Sequence, residues 1–381
     1  MHYENLIELH NVAELNLETN DHPSWHGQRM QRVPEAVRAH LNENSQAMML
    51  EGAGMELRFV SDGPVRIVIS TERGGGEDPP QAMIFQGDFK VSDHRSFSAG
   101  PNTIELEPNE NVLALKKRQA QMLAGEVTQQ TITPEFTFDP AVTRIMLPHY
   151  NGPWRLHRVE PGPGVTCRPP RAEELPALRM LAYGTSITQG ASATLPHHAY
   201  AAHCARRLGA DLLNIGSSGS AMCEPELADY FTQRGDWDFA TLALSVNMQG
   251  CPQDEFRERV GYMVDRVAAG APEKPVFAIT LWPYFRDVAV LPEYTRPWTD
   301  ESEFLRLADD IPALAERMRQ DLRDMVALAQ ANGRSNLHLL EGPDLFGAFT
   351  GNSADLIHPS DDGMIEMGRN LAEAIRPYLA D

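Results

Sequence analysis

Cysteine is scarce and scattered in this chain. Cys167, Cys204, Cys223 and Cys251 lie far apart with no C-x-x-C spacing. A zinc cluster or disulfide framework is thereby excluded, and free thiols in a reducing compartment are the simple reading. No apolar run approaches the ~20 residues that span a bilayer. The opening MHYENLIELHNVAEL has no basic segment leading into an apolar one, so the expectation is a cytoplasmic protein, although a processed secreted chain would begin the same way. Positive charge is also short: 33 Lys and Arg stand against 53 Asp and Glu, a formal net charge of −20. Nucleic acid and anionic membrane are therefore excluded as partners. Solubility accounts for the charge, and the substrate is expected to be neutral or cationic. H-E-x-x-H is absent, and the adjacent His197 and His198 would point apart on a helix. No metal or cofactor is expected.

What is present falls into two halves. Before residue 165, short alternating or apolar runs recur between turn residues: 55–63, 65–70, 82–93, 102–117, 135–139 and 143–150. Period-2 spacing rich in Val, Ile and Phe predicts antiparallel strands. So many in one stretch predict a β-sandwich or jelly roll over 1–165. Residues 27–41 read equally as a short helix or an irregular excursion. A Pro- and Gly-rich stretch, 166–176, reads as a linker. From 177 to 381 the pattern becomes strand, loop, helix, repeated, with continuous apolar strands at 178–184, 211–216, 239–246, 274–283 and 336–342. Helices are predicted at 254–270, around 303–332, and from Ser360 to about Tyr378. That alternation predicts a parallel sheet covered on both faces, with its ligand outside the carboxyl ends of the strands.

The chemistry-bearing residues follow those ends. Ser186 stands in the turn AYGTSITQG just past the first strand, where either an exposed nucleophile or a helix cap would sit. The turn is not G-x-S-x-G, because position 188 is Thr. Asp355 and His358, three apart in ADLIHPSDDG, suit a carboxylate orienting an imidazole that accepts a serine proton. Gly216 ends the second strand, where a bare backbone N–H can approach a substrate oxygen. Asn247 ends the third, with an amide able to donate to an oxyanion.

Taken in order, Ser186, Gly216, Asn247 and the Asp355–His358 pair resemble the four blocks of the SGNH, or GDSL-like, hydrolases. The Ser block GTSITQG resembles a GTS-type lipase/esterase branch, as do the surroundings of Pro196, Tyr200 and Glu224–Pro225–Glu226. The resemblance covers the chain from residue 177 onward. It implies a flavodoxin-like three-layer α/β/α domain with a parallel sheet, and a β-sandwich in front is common in that branch. It further implies Ser186, Asp355 and His358 as catalytic triad, with Ser186, Gly216 and Asn247 as oxyanion donors. Where the family often has Gly-x-Asn-Asp, this chain has Ser245-Val246-Asn247-Met248.

The expected activity is hydrolysis of short acyl esters, acetyl above all, of a carbohydrate or small molecule. An acyltransferase using the same triad stays open, as does a glycan-binding protein with a degenerate hydrolase domain. The segment 280–298, rich in aromatics and Pro, reads as either a wall over Ser186 or a packed connection; Trp282 and Tyr284 are its candidate substrate contacts. Oligomeric state is open, a homo-oligomer included.

Overall fold

The computed structural model of the chain describes residues 1–16, 27–73, 79–127, 132–290 and 311–379. In chain order the first twelve strands are β1 (His2–Tyr3), β2 (Ile7–His10), β3 (Glu14–Asn16), β4 (Gln28–Gln31), β5 (Glu56–Ser61), β6 (Val65–Thr71), β7 (Gln81–Gln86), β8 (Phe89–Ser96), β9 (Gly100–Leu106), β10 (Val142–Met146), β11 (Trp154–Pro161) and β12 (Cys167–Arg168). They form two antiparallel sheets, ordered β1-β2-β5-β10-β7-β8 with β12 on β5, and β3-β4-β11-β6-β9. Inward residues of both sheets, among them Leu57, Phe59, Ile67, Ile145, Trp154 and Leu156, share one buried cluster. This is the face-to-face packing of a sandwich.

Local signals redirect two of the expected strands and settle the open reading of residues 27–41. Residues 27–41 are a strand, β4, followed after Pro34 by the single helical turn α1 (Glu35–Arg38). Asn42 then caps α2 (Glu43–Met48) by accepting the Ser45 N–H at 3.0 Å. The run 102–117 stops being a strand at Leu106. Asn109 accepts the N–H groups of Asn111 and Val112 and opens α3 (Glu110–Leu123), so the N-cap overrides the alternating pattern. Residues 135–139 are not a strand; the Asp88 carboxylate takes the Thr137 N–H at 2.6 Å and holds the segment as coil. Nor is the expected linker a free tether, because Cys167 and Arg168 pair with Ser61 and Val60.

The second half builds a parallel sheet from β13 (Leu178–Gly184), β14 (Ala210–Asn214), β15 (Phe239–Ala243), β16 (Val276–Ile279) and β17 (Leu337–Leu340), in the order β14-β13-β15-β16-β17. In sequence terms this is the flavodoxin-like order 2-1-3-4-5, whose switch point lies beside the first strand. Separate apolar clusters cover the two faces. The helices are α4 (Ser186–Gln189), α5 (Tyr200–Leu208), α6 (Pro225–Arg234), α7 (Gln253–Gly270), α8 (Ile311–Ala331), α9 (Gly342–Leu345) and α10 (Asp361–Ile375). The part of the expected 303–332 helix before residue 311 lies outside the described residues, as does 291–298 of the aromatic segment.

The halves meet across buried charge. Arg58 on β5, fully buried, donates to both oxygens of Asp211 on β14 at 2.6 and 2.7 Å and to Glu56 at 2.8 Å. Arg144 reaches Glu56 at 2.7 Å and lies over the Phe138 ring, and His10 comes within 3.3 Å of Asp211. The network links strands of the antiparallel sheet to the edge of the parallel one.

Candidate active site

Gly184 is the last residue of β13. Thr185, extended, is the N-cap of α4 and gives it no side-chain hydrogen bond, so Ser186 is the first helical residue rather than its cap. The Ser186 hydroxyl turns instead to His358, with Oγ 2.8 Å from Nε2. The other ring nitrogen, Nδ1, donates to Asp355 Oδ2 at 2.6 Å. A carboxylate can only accept, so Nδ1 carries the proton and Nε2 faces the serine as an acceptor. Asp355 Oδ1 accepts the backbone N–H groups of Ile357 and His358, each at 3.0 Å. Burial raises the Asp355 pKa, but these bonds from the His358 ring and backbone outweigh it and hold the carboxyl below its ordinary value. The turn is pinned from outside, since Leu356 O accepts the Phe285 N–H at 2.7 Å and Ser353 donates to His358 O at 2.7 Å.

The base of α4 is fixed as tightly. Thr188 Oγ1 pairs with Tyr200 Oη at 2.8 Å in the core, and Asn214 Nδ2 donates to Thr188 O at 2.8 Å. Gln189 Oε1 accepts the Ser218 N–H at 2.8 Å. The tyrosine singled out in the sequence thus holds the Ser-bearing turn from beneath.

The loop after β14 corrects one expectation. Gly216 does sit at the strand end, yet its N–H already donates to Asn214 Oδ1 at 2.8 Å. A side chain there would meet Gln189 N at 2.4 Å, so the residue is glycine because the loop leaving β14 packs against α4. Its neighbours are engaged too: Ser217 N–H goes to Gly184 O, Ser218 N–H to Gln189 Oε1, Ser220 N–H to Ser217 O and Ala221 N–H to Asn247 Oδ1. From 216 to 221, only the N–H of Gly219 has no partner among the described residues. Gly219 is exposed and has a φ of 64°, a left-handed conformation that glycine adopts without penalty. Sequence reasoning missed it, although the second glycine of GSSGS was the available signal.

Asn247 lies in a one-turn 3₁₀ helix, Val246–Met248, after β15. Because its Oδ1 accepts from Ala221 at 3.1 Å, its NH₂ end is left for other acceptors. Met248, where the family often has Asp, is buried in the core. Ser245 is fully buried with a φ of 118°, and its Oγ has no partner among the described residues. Such backbone conformations cost of order 1–3 kcal/mol in residues other than glycine. Ser245→Gly is therefore expected to raise the melting temperature, with a gain of about 1 kcal/mol after the added flexibility of glycine is set against the relieved strain. A thermal melt checks this, and an unchanged or lower midpoint contradicts it.

Trp282 and Tyr284 do not reach the site surface. Trp282 is 4% exposed and packs edge-on against Tyr200 at 5.5 Å. Tyr284 is 1% exposed, and its hydroxyl lies 3.3 Å from Gln249 Oε1. Trp282 packs into the apolar cluster on one face of the sheet and Tyr284 into the cluster on the other, so neither side chain is available as a substrate contact.

A parallel 2-1-3-4-5 sheet carrying a hydrogen-bonded Ser, His and Asp at its carboxyl edge places the protein in the class of carboxylic ester hydrolases. Residues 178–293 match the GDSL-like Lipase/Acylhydrolase family. Over those residues the strand–helix half is similar to that family, and the protein is an esterase or acyltransferase. Among solved structures, the salicylyl-acyltransferase SsfX3 from a tetracycline biosynthetic pathway is similar in fold, with a TM-score of 0.70 and 17% identity over 98% of this chain and 96% of that one. A GDSL-like lipase from Bacteroides ovatus ATCC 8483 superposes with a TM-score of 0.65 and 17% identity, covering 98% of this chain and 97% of that one. A family two carbohydrate esterase from Clostridium thermocellum, in complex with cellohexaose, gives 0.54 and 15% identity over 85% and 92% of the two chains. No curated protein matches the sequence.

Proposed function

We propose that the protein is a serine esterase that removes short acyl groups, acetyl above all, from a carbohydrate or another small alcohol. The observation that carries this reading is the unbroken chain from Ser186 Oγ through His358 to Asp355, with links of 2.8 and 2.6 Å. His358 Nε2 takes the Ser186 proton as Oγ attacks the ester carbonyl, and Asp355 stabilises the imidazolium. The oxyanion is met by the N–H of Ser186, the N–H of Gly219 and Nδ2 of Asn247. His358 returns its proton to the departing alcohol. Water, deprotonated in turn by His358, then releases the acid from the acyl-enzyme. The two-part architecture shared with a carbohydrate esterase supports a sugar ester as substrate. The similarity to an acyltransferase along nearly the whole chain favours a second reading, in which an alcohol captures the acyl group in place of water.

A series of p-nitrophenyl esters tests the proposal, with fluorophosphonate labelling of Ser186 alongside. Turnover should be greatest with acetate and fall steeply beyond butyrate. An enzyme inert at every chain length and unlabelled at Ser186 ends the esterase reading. If added alcohol diverts most product to a new ester, the transferase reading replaces it.

A further inference from the structure

We propose that the β-sandwich half is a working part of the ester-cleaving site, with Arg32 as a positioning residue that holds the oxyanion loop, residues 214–220, in its active shape. The inference rests on the reading of that loop given above.

Arg32 follows β4 in the sandwich, is 1% exposed, and makes no ion pair at hydrogen-bond range among the described residues. Its Nη1 crosses to the other half and donates to Asn214 O at 3.0 Å and Gly216 O at 2.9 Å, while Nη2 donates to Met48 O. The two carbonyls belong to residues two apart at the exit of β14, so one planar cation fixes the direction in which the chain leaves the strand. Charge-assisted bonds of this kind are shorter and stronger than neutral ones. Further along the same loop, Ser45 Oγ meets Ser217 Oγ at 3.0 Å, and Asn42 Nδ2 donates to Ser220 O at 3.0 Å and to Glu224 Oε1.

Three side chains between residues 32 and 45 thus hold Asn214, Gly216, Ser217 and Ser220. The loop they hold by its carbonyls and the Ser217 hydroxyl is the one that carries the Gly219 N–H, which has no partner among the described residues. The α/β half brings the nucleophile and base, but the loop's outer side is shaped by the sandwich. An oxyanion donor must sit within tenths of an ångström of its target, and a misplacement of about 1 Å can lower the rate about 100-fold. Positioning at Arg32 therefore belongs to kcat and leaves ground-state binding alone.

Arg32→Met and Arg32→Lys in the full chain test this. Arg32→Met is expected to lower kcat for p-nitrophenyl acetate about 10- to 100-fold with KM within about threefold. Arg32→Lys should recover part of the loss. Affinity for a boronic acid, which forms a tetrahedral adduct on Ser186, should fall in step with kcat/KM. In an Asn247→Ala background, where the oxyanion hole is already impaired, the same Arg32→Met change should cost markedly less. A folded Arg32→Met enzyme with kcat within twofold of wild type overturns the proposal, whatever its melting temperature, and so does full additivity with Asn247→Ala. Should Arg32→Met fail to fold, Asn42→Ala and Ser45→Ala each remove one bond to the loop and should lower kcat about 3- to 10-fold. Wild-type kcat in both overturns the proposal equally. If wild type and Ser186→Ala turn over alike, the function reading itself has failed and takes this inference with it.

Discussion

Replacing Ser186 by alanine is expected to lower kcat on p-nitrophenyl acetate by at least about 10⁴-fold while leaving KM and the melting temperature near wild type. Ser186 is 6% exposed, and among the described residues its hydroxyl has one hydrogen-bond partner, His358 Nε2. Its removal deletes the attacking atom and no packing of consequence. What survives is oxyanion stabilisation and binding, which alone give about 10³-fold over water. His358→Ala should fall almost as far, and the double variant hardly further, because nucleophile and base act as a unit. Steady-state kinetics with active-site labelling settles the matter. Retention of more than a hundredth of wild-type kcat by Ser186→Ala would place the reaction elsewhere in the molecule.

The second large effect is on stability. Asp211→Ala leaves Arg58 buried with Glu56 and the more distant Glu8 as its acidic neighbours, and removing one member of such a network typically costs about 3–5 kcal/mol. Because the network joins the halves, the variant should lose cooperativity, one calorimetric transition separating into two. A single transition within about 1 kcal/mol of wild type would mean that the interface is held by its apolar contacts instead.

Acid should act on the same place. Burial raises the Asp211 and Glu56 carboxyls, yet Arg58 outweighs it for Asp211, and Arg144 with Arg58 for Glu56, so both lie below their ordinary values. Their contribution is present above the ordinary carboxylate range and is lost as pH falls through the depressed values. Burial also lowers His10, with Arg58 adding to it against Asp211. The unfolded chain takes up that proton below about pH 6.5, so stability begins to fall there rather than near pH 4. In His10→Gln the decline between pH 6.5 and 5 should flatten.

The nucleophile and its partners were readable because each follows the carboxyl end of a β-strand or precedes the last helix, positions that hydrophobic patterning locates. Choosing between Gly216 and Gly219 was another matter. Both follow the same strand, and only the side chains of Asn214 and Gln189, folded back on the loop, decide which N–H is left over. Trp282 and Tyr284 failed for a similar reason: an aromatic beyond a strand reads alike whether it faces solvent or Tyr200. The helix at 110–123 was within reach, since Pro108 and Asn109 form a stop and a cap, but the alternating apolar residues before them were extended too far. Arg58, Glu56 and Asp211 carry no mark of burial in the sequence. Their partnership spans 153 residues between Arg58 and Asp211 and exists only once two sheets have met.

The Asp355–His358 pair is written into four consecutive residues, whereas His358 and Ser186 stand 172 residues apart. The first relationship survives wherever that turn survives; the second depends on how the whole strand–helix layer is assembled. Gentle warming or dilute denaturant should therefore silence the enzyme before it unmakes it. The imidazole would remain yoked to its carboxylate while the serine drifts out of range, so loss of turnover would run ahead of the loss of helical signal.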